Sequence, residues 1–433
     1  MNTKFYNATI LTMSDGLNMI KNGQVWVEDQ IIIFAGTEIE SKNINNSIHW
    51  DREIDCKNNL LMPGFKNAHT HSPMTCLRSL ADDMPLDEWL HNQVFPIEEK
   101  LTAEDIYNFT KLAVLEYVSG GITAIFDMYI DPEAVGKACI DMGMRCVQVG
   151  SVNDFTLSPE YIEKMYLKWN NDNSLISYIL GFHAEYTTSE PILKQIAYLA
   201  KKYKAPVFAH LSETKEEVES CIRRNNMTPT AYLDSLGIFD YGGGGYHCIY
   251  MTDEDIEIFK RKNLTVVTNP ASNLKLASGI APIATYLKHD IPVAIGTDGP
   301  ASNNCLDMFR EMFLVTGLAK YRENDASAVD ANEVLKMATL NGSYAMGLTN
   351  ADTLETGKLA DIIMIDLNQP NMQPINNITK NIVYSGNKQN VKLTMINGRI
   401  LYENGTFFID DEPEKIYKKA NQIVEKFALL SEK

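Results

Sequence analysis

Along the first 58 residues, apolar side chains recur in short alternating runs: Lys4–Met13, then Gln24–Gly36 with a break at Glu28-Asp29, then Arg52–Cys56. Period-two alternation places the apolar members on one face, so these runs predict antiparallel strands. The same pattern returns near the other end in Asp361–Leu367, Val391–Ile396 and Arg399–Tyr402, with Asn397-Gly398 as a hairpin turn signal. Two β segments flanking a different middle predict one composite β-sandwich, built from 1–58 and 358–411. In the last stretch, 412–433, apolar residues fall at Ile416, Ala420, Ile423, Val424, Phe427 and Leu430, a spacing that fits an amphipathic helix.

The middle, 59–357, alternates strand and helix patterns. Strand candidates are Gly64–Ala68, Thr123–Asp127, Arg145–Gly150, Ser177–His183, Pro206–His210, Gly244–Cys248, Leu264–Asn269 and Ile291–Asp298. Between the first two, Thr102 with Asp105 makes a capping-box start, Ile106, Phe109, Ala113 and Tyr117 share a face, and Gly120-Gly121 stops the helix. Eight strand-helix units of this kind predict an α/β fold, a (β/α)8 TIM-type barrel rather than a doubly wound sheet.

Composition narrows the partners. The 433 residues are 45% hydrophobic and 22% charged, ordinary for a globular chain with a large core. A formal net charge of -17 and the lack of a basic stripe argue against nucleic acid, leaving small molecules as the expected partners. No run of about 20 apolar residues could span a bilayer, and the first residues lack the apolar core of a signal peptide, so no membrane partner and a cytoplasmic location are expected. The seven cysteines form no C-x-x-C pair; reduced, buried thiols are the default.

The chemistry lies at the predicted strand ends. His69-Thr-His71 follows the first barrel strand, and in extended chain two side chains at this spacing share a face and can converge on one ion. Of only eight histidines, three more end apolar runs: His183, His210 and His247, at the fourth, fifth and sixth strands, while Asp298 ends the eighth. Functional residues of a barrel sit at these C-terminal ends. Neutral imidazoles with one carboxylate suit Zn²⁺ or another divalent metal, which lowers the pKa of water to about 7. Taken singly, each residue has a plainer reading, as a hydrogen-bonded core histidine or, for Asp298, a helix cap. In His210-Leu-Ser-Glu213 the carboxyl leaves the strand three residues after a candidate ligand and is placed to shuttle a proton. Its plainer reading is an acid in the first turn of the next helix. His183-Ala-Glu185 matches the H-x-E half of the cytidine-deaminase zinc signature, but its P-C-x-x-C partner is absent, which discards that fold.

Pro63-Gly64-Phe-Lys-Asn-Ala-His69-Thr-His71, His210-Leu-Ser-Glu213-Thr, His247-Cys, Asn269-Pro-Ala-Ser-Asn-Leu-Lys-Leu276 and Gly296-Thr-Asp298-Gly-Pro-Ala-Ser-Asn-Asn304 resemble the metal-dependent amidohydrolase superfamily, nearest its S-adenosylhomocysteine / 5'-methylthioadenosine deaminase branch. The resemblance runs over nearly the whole chain. It implies one divalent metal per subunit, Zn²⁺ ahead of Fe²⁺, Ni²⁺ or Mn²⁺, bound by His69, His71, His210 and Asp298. It further implies that Glu213 protonates the ring nitrogen, that His247 orients the nucleophile, and that Asp298 accepts the water's proton. Trp89 and Glu98 match the segment covering the nucleoside and binding ribose hydroxyls, and His183 matches a base-orienting residue. The activity implied is deamination of adenosine or a 5'-modified adenosine. Hydrolysis of another ring, such as guanine or a triazine, and a non-catalytic scaffold stand as alternatives, and a homo-oligomer is left open.

Three departures bear on specificity. Relatives that accept S-adenosylhomocysteine use arginines after the third strand, whereas Cys146–Asp154 offers none. Glu185 stands where a proline is common; it either meets a substrate amine or faces solvent, the latter being the simpler expectation. Gly242–Gly245 replaces a β-branched stretch before His247, which weakens strand propensity without making a phosphate loop.

Overall fold

The computed structural model describes the chain apart from residues 15–16, 45–47, 81, 85 and 432–433; side chains at 86, 87 and 428–431, including the predicted helix position Leu430, also lie outside the described set. Eight parallel strands run in sequence order, Phe65–Thr70, Ile122–Met128, Arg145–Val149, Ile176–Ala184, Val207–Leu211, Gly243–His247, Thr265–Thr268 and Val293–Ile295, with helices between them. This is the (β/α)8 barrel. Its seam is stitched where the first and last strands meet: Asn67 Nδ2 donates to Thr297 Oγ1 at 2.7 Å, Thr297 N–H donates to Asn67 Oδ1 at 2.9 Å, and Asp298 N–H donates to His69 O at 3.0 Å.

The eighth strand is shorter than expected. At Gly296 a Cβ would stand 2.7 Å from both Asn269 Oδ1 and the His69 nitrogen, and Asp298 leaves extended geometry with φ 59°. The glycine run, by contrast, does form a strand. A Cβ at Gly243 would meet Val207 O at 1.9 Å and one at Gly244 would meet Thr265 O at 2.0 Å, so neighbouring backbones come too close for any side chain. Close approach overrides poor propensity here.

Both ends of the chain build a second, nine-stranded sheet, in which Leu60–Pro63 pairs with Asn2–Leu11 on one side and Ile362–Ile365 on the other. Most of its pairs are antiparallel, as expected. Arg52–Asp55 is the correction: it runs parallel to Asn2–Leu11, with Thr3 opposite Arg52. Alternation within a strand marks its buried face but carries no record of its partner's direction. Helix Ala103–Ser119 starts on the Thr102–Asp105 capping box and buries Ile106, Phe109, Ala113 and Tyr117. Against it packs the terminal helix, Pro413–Ser431, burying Ile416, Ala420, Ile423 and Phe427, with Lys419 Nζ 2.8 Å from Glu104 Oε1. No described helix is long and apolar enough to cross a membrane.

Sheet and barrel are locked by one buried ion pair. Arg145, opening the third barrel strand, donates through Nε and Nη2 to Asp361 at 2.6 and 2.9 Å, and Asp361 Oδ1 also accepts the Asn397 N–H at 2.8 Å. Burial disfavours the Asp361 carboxylate, yet the Arg145 guanidinium outweighs burial and holds its pKa below the ordinary value. Arg145→Met or Asp361→Asn strands one buried partner and should cost about 3–5 kcal/mol in chemical denaturation. The depressed pKa means that this stability is present above the unfolded Asp value, near 3.9, and is lost as pH falls through the folded one. The gap between wild type and Asp361→Asn should therefore close below about pH 4; a gap unchanged down to pH 3 would refute this assignment.

Candidate metal centre and catalytic pocket

At the C-terminal mouth of the barrel, one ligand atom from each of His69, His210, His247 and Asp298 can be chosen so that all lie within 4.8 Å of one another, and all four residues are buried. They come from the first, fifth and sixth strands and the turn after the eighth. His71 joins them through Asp298, whose Oδ1 lies 3.1 Å from His71 Nε2 and 3.3 Å from His69 Nε2. Two ligands on a common tetrahedral zinc stand roughly 3.3 Å apart, so these separations suit a shared cation. The turns that aim the groups leave ordinary backbone geometry, with φ of 70° at His247, 46° at Cys248, 59° at Asp298 and 51° at Ser212. Such outliers concentrate at functional sites.

Hydrogen bonds fix how the imidazoles face. His71 Nδ1 lies 2.6 Å from Met128 O, His210 Nδ1 lies 2.9 Å from His183 O, and His247 Nδ1 lies 2.7 Å from Asn273 Oδ1. A carbonyl oxygen only accepts, so each Nδ1 carries a proton and each Nε2 is the atom turned inward. Ser72, directly after His71, is tied by its N–H to Asp127 Oδ2 at 2.9 Å. His69 differs. It is fully buried, neither ring nitrogen makes a hydrogen bond, and its ring stacks on Tyr246 with centroids 3.7 Å apart. An orphaned, buried imidazole beside a carboxylate is what a bound cation would satisfy, and the donor set fits a divalent metal.

Charge points the same way. Burial lowers His69 to about 3 and His183 to about 4, and puts His210 well below its ordinary value with help from the neighbouring His69. Burial also opposes charge on His71, but the Asp298 carboxylate overcomes it and raises His71 to about 9. Burial pushes Asp298 the other way, and His69 and His71 hold it well below the usual carboxylate range. Its second oxygen, Oδ2, accepts from Ser272 Oγ at 2.6 Å and Ser302 Oγ at 2.8 Å.

Glu213 stands at the rim of this cluster, with Oε2 3.8 Å from His247 Nε2 and Oε1 accepting from Ser278 Oγ at 3.0 Å. Beneath it, the buried Glu217 accepts the N–H groups of Ser212 and Glu213 at 2.7 and 2.8 Å. The His183 ring lies 4.9 Å from that of His210, its Nδ1 2.8 Å from Thr187 Oγ1. Trp89 is buried with its indole N–H unpartnered. Glu98 lies beside Tyr129, and burial raises its pKa to about 6. Glu185 corrects its expectation: it is buried, and its carboxylate is bound by Arg224 at 2.5 Å and Asn225 at 3.1 Å. Ser272, Asn273, Ser302, Tyr246 and Glu217 escaped sequence reasoning. Ser272, Asn273 and Ser302 lie inside the quoted motifs, where no role is legible for them, and Tyr246 and Glu217 have no signal beyond nearness to the strand ends.

The model of the amidohydrolase family matches residues 60–401. Among curated proteins, a 5-methylthioadenosine/S-adenosylhomocysteine deaminase of Thermoanaerobacter pseudethanolicus is 37% identical, over 98% of this chain and 100% of its own. A 5'-deoxyadenosine deaminase of Methanocaldococcus jannaschii is 39% identical, over 94% of this chain and 99% of its own. Among solved structures, an adenosine deaminase from Xanthomonas campestris with bound zinc superposes with TM-score 0.93 at 29% identity, over 99% of this chain and 98% of its own.

A cation held only by the folded cluster should stabilise the fold by mass action, by about 4 kcal/mol at a free concentration a thousand times Kd. Chelator-treated protein should melt several degrees below the same sample given back Zn²⁺. Identical calorimetric transitions would argue against a metal centre here.

Proposed function

The chain belongs to the amidohydrolase family, and from that premise we propose that this hydrolytic enzyme deaminates adenosine or a 5'-modified adenosine to the inosine analogue and ammonia. The observation that carries the proposal is Glu213, whose carboxylate reaches to within 3.8 Å of His247 beside the His/Asp cluster. In this reading His69, His71, His210 and Asp298 hold one metal ion, Zn²⁺ ahead of Fe²⁺, Ni²⁺ or Mn²⁺. Once bound, the metal would polarise water and make hydroxide available at neutral pH.

The protein groups divide the proton work. Asp298, its carboxylate oriented by the two serines on Oδ2, takes the proton of the attacking water. Glu213, oriented by Ser278, delivers a proton to ring N1 as the water oxygen bonds to C6. His247, its Nδ1–H fixed on Asn273, turns Nε2 to accept a hydrogen bond from the hydroxyl of the attacking water and so orients its oxygen toward C6. Glu213 recovers its proton from the same water, so the water's two protons end on N1 and, by way of Asp298, on the amino group; the C6–N bond then breaks and ammonia leaves. Trp89 covers the base, His183 orients it, and Glu98 binds the ribose hydroxyls. That task for Glu98 has no counterpart in a guanine or triazine hydrolase, which disfavours the alternative ring substrates.

The 5' end of the substrate meets little positive charge. Residues 146–157 contain no lysine or arginine, and Arg224, which approaches the segment after His183, is already bound by Glu185. An uncharged 5' end is therefore preferred over an amino-acid tail.

Two measurements test this function. Glu213→Gln should keep its metal and lose roughly 10²–10⁴-fold in turnover, whereas His71→Ala should lose bound metal by elemental analysis. Full activity in either variant is incompatible with these roles. Side by side, adenosine, 5'-deoxyadenosine and 5'-methylthioadenosine should release ammonia faster than S-adenosylhomocysteine; a clear preference for the last would overturn the neutral-tail inference, and inactivity on all four would overturn the function.

A further inference from the structure

Glu311 is a fully buried carboxyl group with no task in the chemistry above, and it lies in helix Met308–Glu323, outside the cluster. Its two oxygens are divided between two segments that support the cluster. Oε2 accepts the N–H of Ala271 at 3.0 Å, and Oε1 accepts from Asn303 Nδ2 at 2.8 Å. Ala271 lies in the short helix Pro270–Lys275, whose N-cap Asn269 makes no side-chain capping bond. Glu311 therefore supplies the acceptor that the helix start lacks. The next two residues of that helix are Ser272, bonded to Asp298, and Asn273, bonded to His247.

Asn303 belongs to the turn after the eighth strand. Its Nδ2 also donates to Thr297 O at 2.7 Å, and its backbone N–H closes on Gly299 O at 3.0 Å. The same turn carries Asp298 and Ser302. One carboxyl group thus spans the two segments whose side chains orient both Asp298 and His247.

We propose that Glu311 is a positioning residue for the metal centre, setting the distance between the Ser272–Asn273 helix and the Asp298–Asn303 turn. It acts through those two segments and touches neither substrate nor ligand atoms. The proposal rests on the reading of the cluster as a metal site, not on the identity of the substrate. Glu311→Gln is the informative change. Its amide oxygen can still accept from Ala271, but its NH₂ then faces the Asn303 NH₂, donor against donor, and one arm of the clamp fails.

Zinc affinity of apo-protein, measured by competition with a chromophoric chelator, should weaken about 10–100-fold in Glu311→Gln, the range for groups that orient ligands. On the best adenosine substrate, kcat per folded molecule should fall with KM little changed. A residue that served only folding would lower the melting temperature and leave both quantities at wild-type values in the folded fraction, which would overturn the proposal. If Glu311→Gln does not fold, Asn303→Ala removes one arm alone and decides on the same readouts: weaker zinc binding supports the clamp, unchanged binding overturns it, and failure of both variants to fold overturns it as well. Should the wild type bind zinc but deaminate no adenosine, the substrate assignment fails while the affinity test of Glu311 stands.

Discussion

Everything at the mouth of this barrel depends on one buried carboxylate shared among several imidazoles. Asp298 offers Oδ1 to His69 and His71 and Oδ2 to two serine hydroxyls, while its backbone N–H closes the barrel seam on His69 O. A carboxylate out of water is costly unless paired and hydrogen-bonded. Asp298 is both, so the bond network that completes the cylinder also brings its negative charge to the centre of the site. The imidazoles around it cannot all be protonated, since burial and mutual repulsion keep His69 and His210 neutral. The neutral nitrogens of His69 and His210 beside one anion make a cradle for a cation.

The rest of the barrel serves that convergence. Parallel strands bring residues distant in sequence to one rim, and left-handed turns at Ser212, His247 and Asp298 then swing the side chains inward. Tyr246, stacked on His69, supports by ring packing an imidazole of the cluster whose ring nitrogens make no hydrogen bond. Behind His247, the strand that carries it is squeezed between its neighbours so tightly that only glycine fits at 243 and 244. Poor intrinsic propensity is tolerated there because the sheet, not the segment, determines the conformation.

What could be seen in the sequence follows from the same physics. His69 and His71 announce themselves because the strand period is local, and the His210, His247 and Asp298 signals are local too: a polar residue where an apolar run ends. The barrel was legible because eight such runs recur at helix-length intervals. The parallel pairing of Arg52–Asp55 was not, since direction depends on a partner some fifty residues away. Nor was the pairing of Glu185 with Arg224 and Asn225, or the orientation of Asp298 by Ser272 and Ser302, because those meetings exist only once the segments are packed. Ser272 lay inside a motif that had already drawn notice, yet a serine at a helix start has many uses and only the folded neighbour selects one.

The site is also divided by how its parts are mounted. The imidazoles and carboxylates credited with the reaction sit on strand ends or in turns pinned by buried bonds, which suits chemistry that tolerates little displacement. Two groups credited with recognising the substrate, Trp89 and Glu98, belong to short helical pieces joined by a π-turn at Leu90–Val94. Such segments can change in length and character without disturbing the cluster. Reaction type therefore rests on the strand ends and their turns, and substrate range on the covering segments together with His183 at the end of the fourth barrel strand. The candidate metal centre accordingly follows from a handful of distances, and the 5' end of the substrate from charge: no cation in 146–157, and an Arg224 already bound by Glu185.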